Sequence, residues 1–243
     1  MSRPLILTIA GFDPSSGAGL SADLKTIEQL GGYGLAICSA LTLQTENEFA
    51  SIQWRASIHL KEELTFLLSR YPVNVLKTGI LPSTGLLKEL LITAHALQPH
   101  LKVVVDPVMR STTGQSFSDH DYLDAELLRH VTVLTPNLSE WSAIENGSVV
   151  NKTETFVNTA LYLKSVDNEI PGVDELYIGG ECKRLTSAVA SVFEKHGSGC
   201  VLASAIATEL AKGATLEKAC TTAKCYTETF LNSHPSKLGY HAA

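Results

Sequence analysis

The sequence predicts an α/β fold with a mostly parallel β-sheet covered by helices on both faces. Short continuous apolar runs such as Leu5–Ala10 are typical of strands buried on both faces. Segments with apolar residues at helical spacing alternate with these runs at short intervals, as in doubly wound sheets. Glycine-rich or polar loops follow most of the runs, which is where parallel sheets bind ligands. Because the 243 residues show neither an internal repeat nor a linker, we expect one domain over residues 1–243.

In the first half of the chain, the strand Leu5–Ala10 leads into the glycine-rich loop Gly11–Gly19. Leu20, Leu24, Ile27 and Leu30 then share one helical face, and two glycines end that helix. Prolines follow the next two predicted helices and cannot continue them. The sequence predicts strands over 5–10, 33–43, 51–55, 73–78 and 102–105, and helices over 20–30, 59–71 and 83–97.

In the second half, the segment Val108–His120 lacks periodicity and is predicted to be a loop beside the site. A hairpin of 182–185 with 188–193 is expected to lead into a glycine-rich turn before the last two helices. The sequence predicts strands over 131–134 and 175–178, and helices over 122–128, 139–144, 153–163, 201–211 and 216–231.

Composition narrows the class of protein. Hydrophobic residues make up 44% and charged residues 18% of the chain, which is a globular composition. The formal charge of −6 argues against nucleic-acid and anionic-membrane partners. The N-terminal apolar run is too short for a signal peptide or a membrane span, so a cytoplasmic protein is expected. The five cysteines lack C-x-x-C spacing and predict neither disulfides nor a zinc site.

Two kinds of polar residue indicate a phosphate site. In the run Lys195–Cys200, glycines precede a helix whose first N–H groups can bind an anion. Asp106, Asn137 and Glu140 follow two other predicted strands and supply oxygen atoms of the kind that Mg²⁺ prefers. Each feature alone is common, but together they predict a site for Mg²⁺ and phosphate.

Six motifs occur in order between about residues 5 and 212. They are 7–19 with 22–26, 40–44, 77–81, 106–109, 135–140 and 196–200. In this set the chain resembles the hydroxymethylpyrimidine and phosphomethylpyrimidine kinases of thiamine biosynthesis. The resemblance implies a ribokinase-like three-layer α/β/α sandwich, with ATP as co-substrate, Mg²⁺ as cofactor, a small pyrimidine as substrate and a homodimer as assembly.

The resemblance also implies roles for individual residues. The turn Gly197, Ser198, Gly199 and Cys200 would stabilise the transferring phosphoryl group. Gln44 would read the pyrimidine through an amide that donates and accepts side by side. The remaining implied residues are Gly11, Asp23, Ile80, Val108 and Met109 for the substrate, Asn137, Lys195 and Gly180 for the nucleotide, and Asp106 and Glu140 for the metal.

Two roles are open for Cys200, which matches a cysteine in the pyrimidine kinases where sugar kinases have an aspartate. A thiol at a helix N-terminus can have a lowered pKa and act as the base, or it can be a small residue that shapes the pocket.

The chain departs from the family where lysines are usual, having Ile178 before Gly179-Gly180, and Thr112-Thr113-Gly114 where the family has lysine-serine-glycine. Lys195 is a candidate to replace one missing charge. The segment between Gly180 and His196 is also shorter than usual, which predicts a trimmed flap over the nucleotide.

Two alternative functions follow from these observations. One is a vitamin B6 kinase, because pyridoxal also carries a hydroxymethyl group on a heteroaromatic ring; Gln44 and Met109 favour the pyrimidine. The other is a pyrimidine-binding protein with weakened phosphoryl transfer, which the departures at Ile178 and Thr112 suggest.

Overall fold

The computed structural model describes residues 3–109, 124–147, 159–187 except 168 and 171, and 193–241, together with Lys152 and Phe156. Within these residues the chain forms nine strands and seven helices. In chain order they are β1 Leu5–Phe12, α1 Gly19–Gln29, β2 Tyr33–Gln44, β3 Phe49–Trp54, α2 Ser57–Leu68, β4 Val75–Thr78, α3 Thr84–Leu97, β5 Lys102–Val105, α4 Ala125–Leu128, β6 Val133–Leu134, α5 Leu138–Gly147, β7 Ala160–Leu163, β8 Asp174–Ile178, β9 Glu181–Leu185, α6 Ser198–Ala211 and α7 Leu216–Asn232.

The strands form one sheet in the order β3-β2-β1-β4-β5-β6-β7-β8-β9. The six strands from β2 to β7 in this order are parallel, whereas β3, β8 and β9 are antiparallel to their neighbours. The chain passes from β1 to β2 on one side and later to β4 on the other. Strand order therefore reverses at β1, and such a switch point leaves a crevice at the carboxyl ends of the strands.

Helices cover both faces of the sheet, which confirms the predicted three layers. One buried apolar cluster joins the sheet to α2, α3, α4 and α5, and a second joins it to α1, α6 and α7. Most residues of α6 are buried, which explains why its sequence is apolar on every side. None of the helices in the described parts of the chain has the length and apolar content needed to cross a bilayer.

One predicted element of the second half is wrong, and another is only partly described. The end of the predicted helix over 153–163 is the strand β7, whose four residues are all buried. The predicted strand over 182–185 lies in β9, which pairs with β8 through a turn at Gly179 and Gly180. The predicted hairpin of 182–185 with 188–193 stays a prediction. Residues 110–120 of the predicted loop and residues 188–192 lie outside the described residues.

Candidate active site

A cavity of about 560 Å³ opens at the carboxyl ends of the parallel strands, within the size range of small-molecule sites. It lies where β1 and β4 end, at the switch point of the sheet. The side chains and backbone around it come from seven segments of the chain at the same edge of the sheet. They are Ala10, Gly11, Ala18, Gly19, Thr42, Gln44, Gly79, Ile80, Asp106, Val108, Met109, Asn137, Ser139, Glu140, Ala143, Lys164 and the run 195–200.

The turn before α6 has the backbone geometry that the glycines predict. Gly197 has φ of 79°, a left-handed conformation that favours glycine. A Cβ atom on Gly197 would lie 2.7 Å from the Cα atom of Ala18, so the turn packs closely on the loop after β1. The first helical hydrogen bond here runs from the Val201 N–H to the Gly197 carbonyl, at 3.0 Å. The N–H groups of Ser198, Gly199 and Cys200 belong to the first turn of α6, where an anion binds most favourably.

A buried pair, His196 and Asp13, joins the two glycine-rich loops. His196 Nε2 lies 2.9 Å from Asp13 Oδ2, and the N–H of Ala18 donates to the same oxygen at 2.9 Å. Burial alone would raise the pKa of Asp13, but the bonds from His196, Ser15 and Ala18 outweigh it and lower the pKa. A carboxylate thus holds the loop after β1 against the turn before α6.

Lys164 is a site residue that the sequence analysis missed. It directly follows β7, and its Nζ lies 3.0 Å from Asp106 Oδ1 and 3.9 Å from Glu140 Oε2. A Cβ atom on Gly199 would lie 3.2 Å from the same Nζ, so the ammonium adjoins the turn before α6. Burial lowers the pKa of Lys164, but the carboxylates of Asp106 and Glu140 outweigh it and raise the pKa. The ammonium is therefore charged at neutral pH.

The side chains around Asp106 fit a magnesium ion. The Oδ2 atom of Asp106 is buried without a hydrogen-bond partner among the described residues. Glu140 Oε2 accepts the Asn137 N–H at 2.8 Å, and burial raises the pKa of the Glu140 carboxyl despite the charge of Lys164. No group of three or more metal-binding side chains occurs in the described parts of the chain. One or two carboxylates are what Mg²⁺ needs when phosphates and water supply its other ligands.

The predicted substrate residues, except Asp23, line the same cavity. Gln44 ends β2, Gly11 lies in β1, and Ile80, Val108 and Met109 give apolar walls. A Cβ atom on Gly11 would lie 3.0 Å from Ile80 Cγ1, so a larger residue would displace this wall. An amide beside apolar walls suits a flat heteroaromatic ring with polar edges.

The assignment of Asp23 to substrate contact is wrong, because its carboxylate is fully buried below the cavity. Lys77 Nζ donates to Asp23 Oδ2 at 2.8 Å, and the hydroxyls of Thr8 and Ser204 donate to the same carboxylate at 2.6 and 2.7 Å. Asp23 therefore connects α1 with β1, β4 and α6 beneath the site. Its oxygens are occupied by these donors.

Gly180 lies at the wrong edge of the sheet for nucleotide binding. β8 runs antiparallel to β7, with Tyr177 paired to Leu161 and Glu175 paired to Leu163. The turn that contains Gly180 is therefore beside the beginning of β7, whereas the cavity is beside its end. The expectation that this turn joins the other polar loops is wrong, because β8 is antiparallel to the strands before it.

Lys195 lines the cavity, but its ammonium group forms hydrogen bonds outside it. Its Nζ donates to the carbonyls of Leu231 at 2.8 Å and His234 at 2.5 Å, at the end of α7. Burial lowers the pKa of Lys195. The hypothesis that Lys195 replaces a missing lysine at the phosphates is not supported, since Lys164 provides the charge. The departure at Thr112, Thr113 and Gly114 lies outside the described residues.

Cys200 lines the cavity with a thiol that is protonated at neutral pH. Burial raises the pKa of Cys200 to about 12, and the charge of Lys77 only partly opposes this effect. The lowered pKa that a role as base would need is therefore not supported. Of the two roles left open by the sequence, the geometry favours a pocket-shaping residue.

Comparison with known proteins supports the reading of these motifs. The sequence model described as phosphomethylpyrimidine kinase matches residues 13–242. A hydroxymethylpyrimidine/phosphomethylpyrimidine kinase of Aquifex aeolicus is 30% identical over 97% of this chain and 98% of its own length. A probable thiamine biosynthetic bifunctional enzyme of rice, described as chloroplastic, is 34% identical over 98% of this chain. This chain spans 45% of the rice protein and 47% of a similar Arabidopsis thaliana protein.

Solved structures show the same architecture. The pyridoxal kinase of Staphylococcus aureus in complex with AMP-PCP and pyridoxal superposes with a TM-score of 0.79 at 26% identity, covering 96% of this chain and 89% of the kinase. A phosphomethylpyrimidine kinase of Clostridium difficile gives 0.73 at 25% identity, covering 93% of this chain and 98% of that one. The fold is therefore ribokinase-like, as the sequence motifs predict.

Proposed function

The chain belongs to the phosphomethylpyrimidine kinase family, and from this we propose that it uses ATP to phosphorylate 4-amino-5-hydroxymethyl-2-methylpyrimidine or its monophosphate in thiamine biosynthesis. The observation that carries the proposal is one cavity that is lined both by Gln44 and by the turn before α6, Lys164 and Asp106. A ring with a hydroxymethyl group and a transferring phosphate would meet between these two groups of residues.

The phosphate side of the cavity supplies positive charge without a reactive side chain. The N–H groups of Ser198, Gly199 and Cys200 and the ammonium of Lys164 would stabilise charge on the transferring group. Mg²⁺ held by Asp106, with Glu140 and Asn137 behind it, would neutralise charge on the ATP phosphates. In such transfers positioning and electrostatic stabilisation supply most of the rate, so a protonated Cys200 is compatible with activity.

The substrate side of the cavity would orient the ring. Gln44 would donate to a ring nitrogen and accept from the amino group, which a pyrimidine of this class presents next to each other. Ile80, Val108 and Met109 would pack on the ring faces. The hydroxymethyl group would then point to the turn before α6.

A vitamin B6 kinase is the second candidate, because the Staphylococcus aureus neighbour binds pyridoxal. The binding-protein alternative loses its main support. Its argument was the missing lysines at Ile178 and Thr112. Lys164 supplies an ammonium in the cavity, whereas Thr112 lies outside the described residues.

A substrate panel with Mg-ATP tests the proposal. ADP formation is measured with the hydroxymethylpyrimidine, its monophosphate and pyridoxal, each with the parent protein and with Lys164→Met as the matched control of low activity. The proposal predicts higher kcat/KM for one of the pyrimidines than for pyridoxal. Turnover of pyridoxal alone would assign the B6 alternative, and pyrimidine binding without Mg-ATP binding in calorimetry would assign the binding protein. The homodimer and the cytoplasmic location stay predictions from the sequence.

A further inference from the structure

Lys164 is followed by a residue in an unusual backbone conformation. Ser165 has φ of 54°, and it is one of two non-glycine residues with a positive φ in the described parts of the chain. A residue with a Cβ atom disfavours this left-handed conformation, so contacts with neighbouring residues must stabilise it. Because Ser165 is exposed, no packing of its own side chain explains the conformation.

The carboxylate of Asp174 is the contact that holds this turn. The Ser165 N–H donates to Asp174 Oδ1 at 2.8 Å, and the next N–H, of Val166, donates to the Val173 carbonyl at 2.8 Å. On the other side, the Lys164 N–H donates to the Pro136 carbonyl at 3.0 Å. These three hydrogen bonds thus fix the backbone from Lys164 to Val166.

Buried side chains that lie outside the cavity hold the Asp174 carboxylate in turn. Its Oδ2 accepts the hydroxyl of Tyr162 at 2.7 Å and Lys224 Nζ at 2.8 Å. Lys224 also donates to the Gly172 carbonyl at 2.6 Å and pairs with Glu228 at 3.2 Å. These side chains are buried and none of them lines the cavity. The network therefore fixes the orientation of Asp174 from outside the active site.

We propose that Asp174 is a positioning residue for phosphoryl transfer: it holds Ser165 in the left-handed conformation, and this turn directs the Lys164 ammonium to Asp106 and the turn before α6. The proposal rests on the proposed function in one respect, which is that Lys164 acts on the phosphates of ATP. The geometry behind it is independent of the substrate. Positioning of the ammonium matters because a displacement of about 1 Å in a group that acts on the reacting atoms can cost about a hundredfold in rate.

Substitutions of exposed Ser165 test the turn without disturbing the buried network. In Ser165→Val a β-branched side chain disfavours the left-handed conformation, whereas in Ser165→Gly the conformation has no steric cost. We expect Ser165→Val to lower kcat/KM for Mg-ATP at least tenfold with the pyrimidine KM unchanged, and Ser165→Gly to keep the parent value. Equal values for the two variants and the parent would overturn the proposal.

Asp174→Ala tests the carboxylate, with Lys224→Met as its matched control. Both substitutions break the buried ion pair and are expected to lower the Tm, but only Asp174→Ala removes the acceptor of the Ser165 N–H. We expect Asp174→Ala to lower kcat/KM for Mg-ATP about as much as Ser165→Val. Lys224→Met should lower it by a smaller factor, because the Tyr162 hydroxyl still holds the carboxylate and the Ser165 N–H keeps its acceptor. If the two variants lose activity in proportion to Tm, the role of Asp174 is structural and the proposal fails. Should Asp174→Ala not fold, the Ser165 pair alone decides.

A double-mutant comparison shows whether Asp174 acts through Lys164. With Lys164→Met already present, adding Asp174→Ala should change kcat/KM less than twofold. A further loss equal to that in the parent would mean that Asp174 acts independently of Lys164, which contradicts the proposal.

A readout without substrate separates this proposal from the proposed function. The acetylation rate of the Lys164 amine, measured by mass spectrometry, reports its contact with Asp106. We expect faster acetylation in Ser165→Val and Asp174→Ala than in the parent and Ser165→Gly. If the parent phosphorylates no pyrimidine but this pattern holds, the proposed function fails and the positioning role stands. Equal acetylation rates in an active enzyme overturn the positioning role alone.

Discussion

Lys164 Nζ lies 3.0 Å from Asp106 Oδ1, while Asp106 Oδ2 has no hydrogen-bond partner among the described residues. The two residues follow β7 and β5, on either side of β6, so the parallel sheet itself sets their separation. One oxygen of Asp106 orients the ammonium, and the other is left to face a cation. This division makes the pair suitable for holding a phosphate between a lysine and a magnesium ion.

Lys164→Met should lower kcat/KM for Mg-ATP by about 10² to 10³, the usual effect of removing one donor to a transferring group. The pyrimidine KM should stay near the parent value, because Gln44 and the apolar walls are untouched. Steady-state kinetics with each substrate varied in turn checks this. Lys195→Met is the matched control, since its ammonium is bound at the end of α7 and should affect stability more than ATP use.

Gly197→Ala should destroy both the turn and activity. At φ of 79° a Cβ atom costs about 1–2 kcal/mol, and contact with Gly17 and Ala18 adds to it. Gly213→Ala is the control, because Gly213 has φ of 91° but no atom within 4 Å of its Cβ position. Urea unfolding should show a larger loss of unfolding free energy for Gly197→Ala, and only this variant should lose turnover. Equal losses in both would mean that close packing at the turn is unimportant.

Cys200→Ala should keep the shape of the pH–rate profile between pH 6 and 9. With the pKa of Cys200 raised to about 12 by burial, the thiol does not titrate in this range and supplies no limb of the profile. A change in kcat from the altered cavity wall should be the same at every pH. Loss of a basic limb in the variant would restore Cys200 as the proton acceptor.

Gln44→Ala should raise the pyrimidine KM and leave the ATP KM nearly unchanged, because Gln44 lines the cavity at the end of β2 and is proposed to contact the pyrimidine. Gln44→Glu provides the matched test of hydrogen-bond pattern, since a carboxylate accepts but cannot donate. It should bind the pyrimidine about as poorly as the alanine variant. An equal rise in the KM values for the pyrimidine and for ATP would mean that Gln44 does not contact the pyrimidine specifically.

Asp13→Asn should remove part of the acid dependence of stability. The pKa of Asp13 is lower in the folded chain than in the unfolded one, so its stabilising contribution is present above the unfolded pKa of about 3.9. That contribution disappears as the pH falls through the lower folded value. Unfolding free energies of parent and variant should therefore differ at pH 6 and converge toward pH 3. A constant difference would show that the contacts of His196 with Asp13 do not depend on the carboxylate charge.

The sequence predicts the parallel sheet well because its central strands are continuous apolar runs with polar loops at their ends. It fails at the run Ala160–Leu163, where four buried residues are too few to separate a strand from the end of a helix. Lys164 was missed with that strand. A lysine that directly ends an apolar run was the available signal.

Other site residues depend on contacts that local sequence does not encode. Asp23 pairs with Lys77, 54 residues away in the chain, and only the fold shows that this pair lies beneath the cavity. The position of Gly180 depends on the antiparallel direction of β8, which a short apolar run does not reveal. The order of the motifs along the chain predicts which loops form the site. Only the structure shows where each side chain points.

If the cavity brings a pyrimidine and the terminal phosphate of ATP together, the protein must form phosphorylated pyrimidine and ADP in equal amounts. Mass spectrometry of a reaction with Mg-ATP and the hydroxymethylpyrimidine follows both products over time. Both should appear at equal rates with the parent protein, and both should form far more slowly with Lys164→Met. ADP without phosphorylated pyrimidine, or no turnover by a folded parent that binds both ligands, would contradict this expectation.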